Sequence, residues 1–130
     1  MSFEKDSEKN VHQAQHDLNL PDSDARKVKA FWTLGKAFYF KWGGLDRNIP
    51  LALSFYKKAA DQGHAGACLE LTNLYYWGSR YVDKDREKAR HYAYLPCPNE
   101  TKFNGNGHYQ DIEIGKREYF QKLLPSKSKL

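Results

Sequence analysis

The candidate transition-metal ligands of this 130-residue chain are His64, Cys68, His91, Cys97 and His108. His64 and Cys68 are four apart, so they share a face if a helix reaches back to His64, and together they would supply half of a zinc site. The competing reading is structural. A cysteine in a helix body is usually a small hydrophobe, and Cys97 lies between Pro96 and Pro98 in no ligand spacing. Zinc is therefore a minor alternative, and no cofactor is expected. Gly105-x-Gly107 has no strand before it and makes no dinucleotide fingerprint. There is no Gly-Lys-Ser/Thr loop, and neither Ser54 nor Ser79 sits on a glycine elbow. No catalytic constellation is expected, so the chain reads as non-enzymatic.

Nucleic acid is a second minor alternative. Lys36, Lys41, Arg47, Lys57, Lys58, Arg80, Lys84, Arg86, Lys88 and Arg90 are interleaved with aromatics, a pattern that binds single strands by stacking. The net charge is +5, but it is uneven. Residues 1–24 carry −4, residues 25–95 carry +7 and residues 96–130 carry +2, returning +5. An acidic arm thus precedes a basic centre, which suits an acidic partner or a solvated helical surface. No apolar run reaches the roughly 18–20 residues that a membrane span needs. The first thirty residues have no secretory pattern, so a cytoplasmic location is expected, with both cysteines reduced.

An internal repeat organises the elements that would position any site. Shifted by 37 residues, Ala30 falls on Ala67, Leu34 on Leu71 and Phe38-Tyr39-Phe40 on Tyr75-Tyr76-Trp77. In the same register Asn48 falls on Asp85, Ala52 on Ala89 and Phe55 on Tyr92. Each unit reads as helix, turn, helix, with apolar residues three and four apart. Asp22 or Ser23 is the expected first helix start, and Gly43-Gly44 the expected end. Asn48 and Asp85 have the chemistry of N-caps, Pro50 is tolerated in a first turn, and Pro96 and Pro98 close the second unit. Ala30, Ala52, Ala59, Ala60, Ala67 and Ala89 are expected where helices approach closely. Phe38, Phe55, Tyr75 and Tyr92 are expected to fill the gaps between them.

These residues resemble the Sel-one-like repeat, a relative of the tetratricopeptide repeat. The first unit carries Ala30, Leu34-Gly35, Phe38, Gly43 or Gly44, Asn48-x-x-Leu51-Ala52, Phe55-Tyr56 and Ala59-Ala60-Asp61-Gln62-Gly63. The second carries Ala67, Leu71, Tyr75, Gly78, Asp85-x-x-Lys88-Ala89 and Tyr92, but has Leu71-Thr72 for Leu-Gly and lacks the closing Ala-Ala-x-x-Gly. The resemblance covers residues 28–95, about half the chain. It implies an all-α fold: a short α-solenoid of two helix-turn-helix repeats, about 28–64 and 65–98 within residues 22–98.

Two repeats are marginal, since each buries its face against a neighbour. Flanking caps are therefore expected. Residues 1–21 form an acidic arm in which Val11, Ala14 and Leu18 allow a short helix. Residues 99–130 read as a loop, a capping helix through Ile112, Lys116, Tyr119, Phe120, Leu123 and Leu124, and a frayed tail after Pro125. A strand over 109–114 is the rival reading there.

The resemblance implies protein binding on the concave face of the first helices. The stripe left after core assignment is Trp32, Lys36 and Tyr39, with repeat mates Leu69, Asn73 and Tyr76. Its alternative role is core beneath a cap. Trp42 and Trp77 are assigned to helix ends. The expected function is an adaptor or scaffold binding another protein that carries an acidic or amphipathic segment. The alternative is a small immunity or inhibitor protein that neutralises a cognate toxin or enzyme.

Overall fold

The computed structural model describes residues 3–96 and 117–126, with side chains from residue 8 onward. Every regular element among the described residues is helical. They are α1 (Phe3–Asp17), α2 (Ala25–Phe40), the short 3-10 turn η1 (Trp42–Gly44), α3 (Ile49–Asp61), α4 (Ala65–Trp77) and α5 (Arg86–Tyr94). A further helical stretch, α6, runs over 117–123. The chain divides into two compact units, Met1–Ala59 and Ala60–Leu130. The acidic arm thus joins the first hairpin, and the C-terminal segment joins the second. The expected loop and the 109–114 helix-or-strand alternative lie outside the described residues.

In the first unit α1 packs on α2 and η1. Val11 and Ala14 of α1 are buried with Ala30, Leu34 and Ala37 of α2, and Leu18, Trp42, Leu45 and Phe55 pack around that cluster. Asp24 caps α2 by accepting from the Arg26 backbone N–H at 2.9 Å. The start therefore falls just beyond Asp22 and Ser23. The end differs too. Lys41, not the glycine pair, closes α2 in the left-handed region at φ 61°, ψ 42°, its N–H bonded to the Ala37 carbonyl.

The two hairpins share more than a sequence register. Asn48 N–H donates to the Phe38 carbonyl at 3.0 Å, and Asp85 N–H donates to the Tyr75 carbonyl at 2.8 Å. Asn48 Oδ1 accepts from Leu51 N–H, and Asp85 Oδ1 accepts from Lys88 N–H. Phe38 stacks on Phe55 with centroids 6.0 Å apart, and Tyr75 stacks on Tyr92 at 6.2 Å. Each of these pairs of contacts is separated by 37 residues in sequence. Their cause is local: a capping side chain closes the second helix while its backbone ties back to the first. The six alanines of the pattern are all buried.

One departure from the repeat has a steric explanation. A Cβ built on Gly35 would stand 2.8 Å from the ring of Tyr56, which is fully buried. Glycine lets α2 approach α3 closely enough to seat that ring. In the second unit the mates of Gly35 and Tyr56 are Thr72 and Ala93, both fully buried. Large and small have been exchanged between the two helices. Thr72 Oγ1 also satisfies itself by donating to the Cys68 carbonyl at 2.7 Å.

The second unit is closed by α6. Phe120 and Leu124 are buried, whereas Tyr119 and Leu123 are exposed. Arg117, 7 % exposed, donates through Nη2 to the carbonyls of Ala93 at 3.1 Å and Leu95 at 2.6 Å. Gln121 Nε2 adds a second donor to Ala93 at 2.6 Å. A helix ends with unsatisfied carbonyls and negative dipole charge, and a guanidinium answers both. In return the Tyr94 hydroxyl donates to the Gln121 carbonyl at 3.0 Å, and Arg90 Nε donates to Pro125.

Candidate functional site

The residues with reactive chemistry are engaged structurally. His64 is the N-cap of α4: its Nδ1 accepts the Ala67 N–H at 3.1 Å. That lone pair closes a helix, so His64 and Cys68 do not stand as two ligands facing one ion. Cys68 is fully buried, its Sγ 3.8 Å from the Ala60 carbonyl oxygen. Ser79 Oγ accepts from the N–H groups of Tyr81 and Val82, which makes it a turn residue. Cys97, Gly105, Gly107 and His108 lie outside the described residues.

The basic residues follow a related rule. Lys58 lies over Phe31 and Phe55, Lys88 over Tyr75 at 5.3 Å, and Arg86 over Tyr76 at 5.4 Å. Arg47 Nε donates to the Tyr39 carbonyl, and Arg90 holds Pro125 and Glu87. Much of the cationic surface is thereby laid against the chain's own rings and carbonyls, an attraction to the negative ring face. Burial pushes the Tyr92 hydroxyl up to about 12, helped by Tyr75, Asp61 and Cys68. It also raises Tyr75, with the Asp85 carboxylate adding to the effect.

The expected stripe separates into different environments. Trp32 and Lys36 are half-buried in the first unit, with the Lys36 ammonium 3.6 Å from the Trp32 ring centroid. Tyr39 is not on that surface: it is 8 % exposed and packs edge-on against Phe40 at 4.8 Å. The helical register puts it within about 20° of Trp32, but Tyr39 lies at the end of α2, where that face is covered. In the second unit Leu69 is half-buried and Asn73 exposed. Tyr76 is half-buried against Trp77 and Phe120, at 4.7 Å and 5.5 Å. The structure therefore gathers Trp32 and Lys36 in one place and leaves Tyr39 out.

The same place recruits residues that the sequence pattern missed. A groove of about 330 Å³ runs along α1 and α2, with Ala14 and Ala30 in its lining. Trp42, assigned from sequence to a helix end, lines it as well, its ring 5.2 Å from the Lys36 ammonium. Asp17, Arg26 and Lys29 contribute charge. Of these, Lys29 alone has a sequence signal, its i, i+3, i+7 spacing with Trp32 and Lys36 on one helix face. In the second unit Trp77 and Tyr119 are both about half exposed, at 54 % and 53 %, on either side of the Tyr76 and Phe120 rings. Compared with protein families, with curated proteins and with solved structures, the chain matches none.

Proposed function

We propose that this chain is a non-enzymatic protein-interaction module of the Sel-one-like kind, acting as an adaptor or scaffold. The observation that carries the reading is the recurrence at 37 residues of the same turn bonds and the same stacked ring pair. That recurrence is what a solenoid repeat requires, because each hairpin is then one supersecondary unit repeated in sequence. The engagement of His64, Cys68 and Ser79 in caps, packing and turns supports a binding role over catalysis. Half-exposed aromatics beside cations support protein contact, since Trp, Tyr and Arg dominate binding energy at interfaces. The partner's contact segment is acidic or amphipathic, and the binding residues are Trp32 and Lys36 in one unit and Leu69, Asn73 and Tyr76 in the other. Fold alone does not assign function.

The test is affinity capture from the native host with the intact chain, followed by identification of retained proteins and reconstitution with the purified candidate. A stoichiometric complex with one protein, weakened by Trp32→Ala at unchanged helicity, is the expected result. A captured toxin that loses activity in the complex would redirect the reading to an inhibitor. Retention of nucleic acid alone, lost steeply with salt, would overturn it.

A further inference from the structure

We infer that the exposed face of α1 carries a two-imidazole chelate, His12 with His16, for a late first-row divalent transition ion. Of the chain's histidines, His64 commits Nδ1 to the cap of α4, and His91 lies edge-on against Tyr92 at 4.8 Å. His12 and His16 are both exposed on α1. Their placement follows from the pattern of that helix. Val11 and Ala14 are buried and set the face that packs on α2 and η1. Residues four apart stand one above the other on a helix, with Cβ atoms about 5–6 Å apart. His12 and His16 therefore share one outward face a single turn apart, the spacing at which two imidazoles on a helix bind one ion.

Glu8, Lys9 and Gln13 line the same surface hollow as the two histidines, and Gln13 donates to Asp17 at 2.9 Å. Among the described residues, no group of three His, Cys, Asp or Glu side chains is placed to hold an ion. The protein thus supplies two nitrogens, and water fills the ion's other positions in a hollow of about 570 Å³. Imidazole suits nickel, copper and zinc, whereas magnesium and calcium require oxygen ligands. Ligation is by the lone pairs of neutral imidazoles rather than by net surface charge. His16 also lies in the last turn of α1, where the negative end of the helix dipole favours a cation. The ion bridges two successive turns of the helix whose opposite face carries Val11 and Ala14. A ligand that binds only the folded form stabilises it by mass action, so the ion secures α1 on α2. The two histidines are not among the residues proposed to bind a partner, so the inference stands apart from the interaction reading.

The test is calorimetric titration of the full chain, free of any affinity tag, with nickel chloride, and with magnesium chloride as the hard-ion control. The expected result is saturable nickel binding that His12→Asn and His16→Asn each weaken at least about tenfold. Loss of a residue that only hydrogen-bonds a metal ligand already costs about 10–100-fold, so loss of a ligand itself costs no less. A further variant, Asn10→His with His16→Asn, keeps two histidines at exposed positions but sets them two apart, where they do not face each other. It should bind as weakly as the single variants. Nickel should raise the melting temperature of the parent and leave that of the variants unchanged. The substituted positions are exposed, and far-ultraviolet circular dichroism without metal checks that helicity is kept. Unchanged affinity in either single variant would place the ion elsewhere, and parent-like affinity in the rearranged variant would rule out the chelate; each overturns the inference. Absence of saturation, magnesium binding as tight as nickel, or an equal nickel-induced rise in melting temperature in parent and variants would overturn it too.

Discussion

Replacing a helical glycine by alanine ordinarily stabilises a helix by about 1 kcal/mol. At Gly35 the opposite is expected. Its added Cβ would meet Tyr56 Cδ1 at 2.8 Å, Cε1 at 2.9 Å and Cγ at 3.1 Å. Comfortable carbon contacts lie near 3.5–4.0 Å, so the methyl overlaps the ring by roughly 0.6 Å at several atoms. The ring is fully buried and is no flexible chain end that can swing aside. Overpacking of this kind costs about 1–3 kcal/mol, and with severe overlap the upper part of that range applies. After subtracting the helix gain, Gly35→Ala should destabilise by about 1–2 kcal/mol, measured as a shift in urea midpoint at constant slope. Gly35→Thr alone should be worse. Tyr56→Ala alone should cost about 3–5 kcal/mol through the cavity it leaves. Yet Gly35→Thr with Tyr56→Ala installs the pair found at Thr72 and Ala93, and should be more stable than the sum of the single changes by at least about 1 kcal/mol. A Gly35→Ala protein that melts higher than the parent, or additive energies in the double variant, would refute the steric account.

Arg117→Met should cost about 3 kcal/mol in urea unfolding, because it leaves the α5 carbonyls of Ala93 and Leu95 without their charged donor; a loss below 0.5 kcal/mol would show that α6 does not cap the hairpin. Lys41→Gly should raise the melting temperature, since Lys41 holds a left-handed φ of 61° that costs a side chain about 1 kcal/mol; a lower melting temperature would contradict this. For Tyr92 the sign follows from its raised pKa of about 12. An unfolded tyrosine loses its proton near 10, so the folded state binds more protons between pH 10 and 12 and stability falls as pH rises through that window. Tyr92→Phe should flatten that fall, and an unchanged alkaline unfolding profile would count against the burial argument.

The repeat hairpins and the caps of their second helices were legible in the residues alone. Asn48 and Asp85 act as caps because capping depends on a side chain reaching a backbone N–H within one turn. The ring pairs Phe38–Phe55 and Tyr75–Tyr92 were legible because a repeat register places equivalent residues at equivalent points of a hairpin. The six small residues that let helices approach were legible for the same reason. Lys41 was not: the glycine pair that begins two residues on is the stronger local signal for a helix end, yet it is Lys41 that turns left-handed and closes the helix on the Ala37 carbonyl.

Which faces are covered depends on packing between helices. Periodicity put Trp32, Lys36 and Tyr39 on one stripe, but burial depends on the neighbours a helix acquires, and Tyr39 is in the core. The groove beside Trp32 exists because α1 packs against α2 and η1, bringing Asp17 and Trp42 to Lys36 across 19 and 6 residues of sequence. Arg117 was one charge among many until α6 brought it to the α5 carbonyls. Local rules act within a turn of helix; burial and long-range charge pairing are properties of the packed chain.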